Sequence, residues 1–420
     1  MSTAWHSRYA LRTLRAKGST IRELLKITQR PEVISFAGGL PAPEVFPVKR
    51  FQEACRTVLD QHGPQALQYG STEGYEPLRE MIAQHIARYG ILAKAENVLI
   101  TSGSQQALDL IGKLLINSGD RVLVEAPTYL GAIQAFNVYG AQFISVPLDN
   151  DGLRTDQLED ALRMSPKFMY ILPNFQNPAG VTLSEDRRHQ LILLADKYGI
   201  PIIEDDPYGQ LRYEGEHIAP LVVLDRENLR RDNGFTLGNV IYLSTFSKTL
   251  APGIRLAWIV APDEVISRLV LLKQAADLHT SSFTQMLAYE VAKDGFLDQH
   301  VKLIRQVYRE RRDAMLQALE EFCPPEVKWT HPKGGLFLWV TVPKNVDCRL
   351  LFRAALAEDV AFVPGDCFYA NDALEGCRHM RLNFSFSKPE QIREGIRRLS
   401  VAMKMQIRRA THPPLEVVER

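Results

Sequence analysis

A lysine set among small hydroxyl side chains, with an arginine seven residues further on, is the arrangement in this chain most suited to chemistry: Thr245-Phe246-Ser247-Lys248, then Thr-Leu-Ala-Pro-Gly-Ile-Arg255. An amine that is to form a Schiff base must reach an aldehyde unprotonated. A phosphate held beside it needs hydroxyl donors and a guanidinium fork. The residues ahead of it, 239–244, are apolar and β-branched, so Lys248 is expected at the carboxyl end of a short buried strand, where open α/β sheets bind ligands. One strand upstream lies Ile202-Ile203-Glu204-Asp205-Asp206-Pro207-Tyr208. An aspartate at a buried strand end can keep a pyridine nitrogen protonated and so make its ring an electron sink. Tyr208, three residues on, can reach a phenolic oxygen on that ring. Taken singly, the lysine reads more readily as a solvated side chain, and the acidic run as a turn closing a strand.

Together with Leu172-Pro173-Asn174-Phe175-Gln176-Asn177-Pro178-Ala179-Gly180, these motifs make the chain resemble the fold-type-I pyridoxal-phosphate aminotransferases of classes I and II. The resemblance implies a role for each matched residue. Lys248 forms the Schiff base with the cofactor and Asp205 holds its pyridine nitrogen. Asn177 and Tyr208 hold the phenolic oxygen, and Asn177 also helps with the substrate carboxylate. Arg255 binds the phosphate with the hydroxyls of Thr245 and Ser247; many members have serine where Thr245 stands. Thr101-Ser-Gly-Ser104-Gln105-Gln-Ala107 opens a helix after the first strand, and free N–H groups at a helix start suit an anion. In the family this turn is the phosphate cup, matched at Ser104 and Gln105. The resemblance lays Tyr129 flat on the pyridine ring, makes Arg381 the grip on the substrate α-carboxylate, and has Tyr69 reach from one subunit to the phosphate of the other in a homodimer. It extends from Ser19 to about Leu399.

Within that superfamily, Ser19-Thr-Ile-Arg22-Glu-Leu-Leu, Phe36-Ala-Gly-Gly39-Leu-Pro and Thr101-Ser-Gly-Ser-Gln-Gln look most like the 2-aminoadipate aminotransferases of bacterial lysine biosynthesis, with kynurenine/aminoadipate aminotransferases close by. This implies donors that are acidic, aromatic or branched aliphatic, with 2-oxoglutarate as a natural acceptor. Arg22 is expected to meet a distal substrate carboxylate from a short helix capped by Thr20. The paired glycines ending at Gly39 let a ligand approach the backbone closely. A lyase or decarboxylase on the same fold would share every cofactor residue. A transcription regulator with such a domain is disfavoured, because few residues precede Phe36 and the charge is near balance.

These residues must be carried by a sizeable framework. Strand-like runs at 98–101, 121–125, 143–146, 168–172, 201–204, 240–243 and 256–260 are separated by helical stretches such as 105–115 and 185–198. Strands alternating with helices predict a mostly parallel, seven-stranded wound sheet flanked by helices. Helices are expected over 282–294 and 305–321. Alternation at 335–341 and the run from Met380 suggest a smaller antiparallel sheet in an α+β domain. The expected division is 1–60 as an N-terminal arm with part of the small domain, 61–290 as the large cofactor domain, and 291–420 as the C-terminal small domain.

With 50 Lys and Arg against 49 Asp and Glu, no global field draws the protein to nucleic acid or an anionic membrane. Five cysteines without a Cys-x-x-Cys pair argue against a disulfide framework or structural metal. No apolar run approaches the roughly 20 residues of a membrane helix and the start lacks a signal-peptide core, so a cytoplasmic protein is expected.

Overall fold

Runs such as Val98-Leu-Ile-Thr101 and Val240-Ile-Tyr-Leu-Ser-Thr245 are apolar on both sides, a pattern stable only in a sheet covered on both faces. The computed structural model, which describes residues 3–16, 18, 30–228 and 237–411, buries both runs completely. In chain order, β1 is Ile34–Ser35. It is followed by β2 (Val98–Thr101), β3 (Arg121–Ala126), β4 (Gln142–Asp149), β5 (Gly152–Leu153), β6 (Met169–Ile171), β7 (Ile202–Asp205), β8 (Val240–Thr245) and β9 (Ala257–Val260). Strands β2 to β9 form one sheet in the order β2-β9-β8-β7-β6-β3-β4-β5. The seven expected strands are all present, and the two-residue β5 adds an eighth at the edge. All neighbours from β8 to β4 run parallel, whereas β9 is antiparallel to both β2 and β8.

Helices cover each face. Ser104–Leu115, Leu130–Val138 and Asp263–Gln274 pack over Ile203, Ile241 and Leu243 on one side. Glu76–Ala87, Glu185–Tyr198 and Ser282–Ala292 pack over Ile202, Val240 and Tyr242 on the other. The helix expected over 305–321 belongs to the longer Phe296–Phe322.

The smaller domain contains β10 (Lys328–Trp329), β11 (Phe337–Thr341), β12 (Val360–Ala361), β13 (Val363–Pro364) and β14 (His379–Asn383). An antiparallel sheet β10-β11-β14-β13 packs with the helices Phe296–Phe322 and Pro389–Thr411 around one apolar core. That core also takes in Val33, Phe36, Ala37 and Val45, because β1 pairs with β12 in parallel. Among the described residues no helix is long and apolar enough to cross a membrane.

This topology fixes where the chemistry must occur. The carboxyl ends of β2, β3, β6, β7 and β8 lie along one edge of the sheet, and the segments leaving them carry Ser104, Tyr129, Asn177, Asp205 with Tyr208, and Lys248. Arg255 precedes β9 rather than following it. Because β9 runs in the opposite sense, its entrance falls at the same edge.

Candidate active site

At that edge opens a cavity of about 660 Å³. Gly39, Ser104, Gln105, Tyr129, Asn177, Asp205, Tyr208, Thr245, Ser247, Lys248, Arg255 and Arg381 all line it. Of the residues singled out in the sequence, Tyr69 does not line it: its side chain is 78% exposed and rests edge-on against His279. Arg22 and Thr20 lie outside the described residues.

Lys248 follows the end of β8, and its Nζ donates to the carbonyl of Gly39 at 2.9 Å. Burial pulls its pKa from 10.5 to about 8, with the Arg381 and Arg255 guanidiniums adding repulsion. A far larger share of the amine is therefore in its free form near neutral pH than for an exposed lysine, as nucleophilic chemistry requires. Asp205 closes β7 and is 2% exposed. Its Oδ2 accepts from the Tyr170 hydroxyl at 2.6 Å, while Oδ1 is buried with no hydrogen-bond partner. Burial raises its pKa to about 7, against the lowering effect of the Tyr170 hydrogen bond, and the neighbouring Asp206 raises it further. A buried carboxylate oxygen left without a partner is costly. A cation with an N–H aimed at Oδ1 would satisfy it. Sequence reasoning missed Tyr170. It stands on β6 opposite Ile203, two residues before Asp205 on the same face of the sheet, so only the strand register reveals it.

At one end of the cavity the residues suit an anion. Gly103 has φ +85°, and a Cβ there would fall 2.3 Å from Nη2 of Arg255, so glycine lets the guanidinium lie against the start of the Ser104–Leu115 helix. Arg255 is itself left-handed, at φ +51°. Thr245 Oγ1 contacts Ser247 Oγ at 3.0 Å and accepts from the Ser247 N–H, also at 3.0 Å. Helix N–H groups, hydroxyls and a guanidinium together are the donors that a phosphate requires. The Gln105 side chain donates instead to the Gly131 carbonyl at 2.9 Å. Gly131 in turn leaves room for the Tyr129 ring, which a Cβ would meet at 2.5 Å.

The opposite end suits a carboxylate. Arg381, on β14 and 2% exposed, donates from Nη1 to Asn177 Oδ1 (2.9 Å) and from Nη2 to the Ala37 carbonyl (2.8 Å). Its Nε is buried without a partner, and among the described residues no carboxylate pairs with it. Burial lowers its pKa to about 10, still far above neutrality. The guanidinium carbon lies 4.2 Å from the Phe337 ring centroid and 5.0 Å from that of Phe368, which leaves its edge for a planar anion. Tyr208 is buried beside it, and burial holds its hydroxyl protonated.

A reactive amine, an anion cradle, a carboxylate seeking a cation and an arginine seeking a carboxylate define an enzyme that binds an aldehyde-bearing phosphate cofactor and a carboxylate substrate. Residues 38–399 match the family model of aminotransferase class I and II, and the chain belongs to that family. It is 46% identical over 402 residues to the 2-aminoadipate transaminase of Thermus thermophilus, covering 96% of this chain and 98% of the relative. It is 47% identical over 408 residues to aromatic-amino-acid aminotransferase 1 of Thermococcus litoralis, covering 96% and 95%. The crystal structure of the Thermus thermophilus alpha-aminoadipate aminotransferase complexed with N-(5'-phosphopyridoxyl)-L-leucine superposes with a TM-score of 0.89 at 43% identity, covering 97% of this chain and 100% of that one. The protein is a pyridoxal-phosphate-dependent aminotransferase of fold type I. The unpartnered Oδ1 of Asp205 and the cradle that Gly103 keeps open fit the two ends of that cofactor.

Proposed function

We propose that the enzyme moves the amino group of an L-amino acid to a 2-oxo acid such as 2-oxoglutarate in two half-reactions with ping-pong kinetics. Its donors are 2-aminoadipate, glutamate, and aromatic and branched aliphatic amino acids. The observation that carries this reading is the meeting, in one cavity, of the Lys248 amine, the unpartnered Asp205 Oδ1 and the Arg381 guanidinium, whose Nε has no partner.

Bound pyridoxal phosphate supplies an aldehyde to carry the amino group and a ring to spread the negative charge that develops at Cα. Residues of the chain do the rest. Ser104, Thr245, Ser247 and Arg255 hold the phosphate, and Tyr129 stacks on the ring. Arg381 and Asn177 fix the substrate carboxylate, which sets the Cα–H bond toward Lys248. The Nζ of Lys248, whose basicity is lowered by burial, would serve as the general base that accepts the Cα proton and as the general acid that gives it back. Asp205 keeps the ring nitrogen charged throughout, a fixed electrostatic contact that needs no reorganisation. Asn177 and Tyr208 steady the phenolic oxygen.

The breadth of donors is supported by two relatives of similar identity, one named for 2-aminoadipate and the other for aromatic amino acids. Arg22 is proposed to select the acidic donors. The exposed Tyr69, which does not line its own cavity, supports a homodimer in which each subunit completes the phosphate site of the other.

The test is a donor panel with 2-oxoglutarate, with product identification, on wild type and Arg22→Ala. Oxo acid products from both acidic and apolar donors are expected. Arg22→Ala should cost roughly tenfold in kcat/KM for 2-aminoadipate and glutamate while sparing leucine and phenylalanine, the scale of one charge-assisted contact. Amine or cleaved products would replace transamination by decarboxylation or lysis, and equal losses across donors would remove Arg22 from specificity.

A further inference from the structure

Below the cavity, where β3 leaves the sheet, lies a buried carboxyl that none of the steps above uses. Glu125 is 2% exposed, and its Oε2 accepts from the backbone N–H of Leu172 at 3.1 Å and from Nε2 of Gln176 at 3.2 Å. Leu172 N–H lies just past the end of β6, where the ladder no longer supplies an acceptor, and a buried N–H must find one elsewhere. Gln176 extends the connection. The same Nε2 donates to the Pro127 carbonyl at 2.7 Å, and Oε1 accepts from Ala179 N–H at 2.9 Å. Its backbone N–H donates to Val181 O at 2.8 Å.

Two segments are joined by these contacts. One is the loop after β6, which carries Asn177 one residue beyond Gln176. The other is the turn after β3, where Pro127 and Thr128 lead directly into Tyr129. That turn is also fastened across to the smaller domain, since Thr128 N–H donates to Phe368 O at 2.8 Å and the Phe368 ring lies against Arg381. The residue that stacks on the ring and the pair that grips the substrate carboxylate therefore share one hidden support. Neither Glu125 nor Gln176 lines the cavity.

We propose that Glu125 and Gln176 are positioning residues that lock the Tyr129 turn and the Asn177 loop into one unit, and so set the spacing between the stacking ring and the Asn177–Arg381 carboxylate grip. The pair rests on the reading of Tyr129 and Asn177 given above. Burial raises the Glu125 carboxyl to about 8, so near neutral pH much of it is protonated and resembles an amide in charge. Glutamine at this position keeps the acceptor, whereas leucine keeps the volume and loses it.

Glu125→Gln, Glu125→Leu and Gln176→Leu, loaded with pyridoxal phosphate, separate positioning from simple core filling. Three quantities are read on each: kcat and KM for a glutamate donor, the induced circular dichroism of the cofactor band, and the affinity of the apoenzyme for pyridoxal phosphate. Glu125→Gln should stay within about threefold of wild type in kcat/KM, with an unchanged cofactor band. Both leucine variants should load cofactor yet lose roughly ten- to a hundredfold in kcat/KM, the scale of a misplacement near 1 Å, with a raised KM and a weakened cofactor dichroism. Leucine variants that melt earlier but keep wild-type KM, kcat and dichroism would overturn the proposal and leave a core-filling pair. Should Glu125→Leu not fold, Gln176→Leu alone decides in the same way. Asn177→Ala serves as a control: wild-type KM and dichroism there would overturn the reading of Asn177, and the proposal with it, whereas an altered Asn177→Ala beside wild-type leucine variants overturns the positioning pair alone.

Discussion

Strand β7 presents two consecutive buried carboxylates to opposite faces of the sheet, and the two faces use them differently. On one side Glu204 caps a helix start, its oxygens accepting from the N–H groups of Leu221 and Val222 at 2.8 and 2.9 Å. On the other side Asp205 has one oxygen on Tyr170 and one on nothing. Burial raises both groups to about 7, so neither depth nor proton affinity tells them apart. What differs is hydrogen-bonding capacity left over. A buried carboxylate whose valence is filled by backbone is part of the framework; one left with a free lone pair facing a cavity is prepared for a ligand.

The largest effect that could break this contrast is on turnover. Asp205→Asn should lower kcat by two or more orders of magnitude, on the scale of roughly 3 kcal/mol for a lost transition-state charge contact. Wild-type kcat with weaker cofactor binding would make Asp205 a holding group only. Tyr170→Phe removes the donor that orients Asp205 and should cost about tenfold in kcat, near 1.5 kcal/mol for a hydrogen bond to a charged group. A loss as large as that of Asp205→Asn would instead make Tyr170 a direct participant. Glu204→Gln turns one oxygen into an amide N–H2 facing a helix N–H. It should leave kcat within about twofold and lower unfolding free energy by about 1–3 kcal/mol in denaturant titrations. A turnover defect exceeding the stability defect would erase the distinction between the faces.

The smallest effect is in the pH dependence of the cofactor-free protein. The folded pKa of Asp205, about 7, lies above its unfolded value near 4. The folded state therefore holds this proton more tightly, and that contribution to stability is complete below about pH 4 and is lost as pH rises through 7. Apoprotein carrying Asp205→Asn should gain stability relative to wild type across that interval, and bound cofactor should abolish the gain. A constant difference from pH 4 to 8 would mean that Asp205 is not strained by its burial.

Much of the framework was legible because fully buried parallel strands leave unbroken β-branched runs and the helices between them keep their period. The 185–198 helix came out as expected to the residue. What lay beyond reach was pairing. Nothing in Gly152–Leu153 marks a two-residue edge strand, and nothing in 257–260 says that β9 runs against its neighbours, although that reversal is what brings Arg255 to the site. The cavity residues were found through motifs tied to strand ends. Tyr170 and the Glu125–Gln176 link were missed because their meaning depends on which residue stands opposite on another strand. The pairing of β1 with β12 was equally invisible from either segment alone.

Closure of the substrate grip has a consequence for how the polypeptide is made. The Ala37 carbonyl that receives Arg381 Nη2 is separated from it by 344 residues. At a synthesis rate of about 5–20 residues per second, the first half of that contact leaves the ribosome on the order of 20–70 s before the second exists. For most of that interval Phe36, fully buried in the finished protein, has no β12, and for all of it no complete β14 and no final helix to cover it. The large sheet, whose strands all lie between residues 98 and 260, meets no such delay. This chain's own share of the cofactor cavity, residues 104–255, is thus synthesised well before Arg381, and the amino-terminal segment is the part of the molecule with the longest wait for its partners.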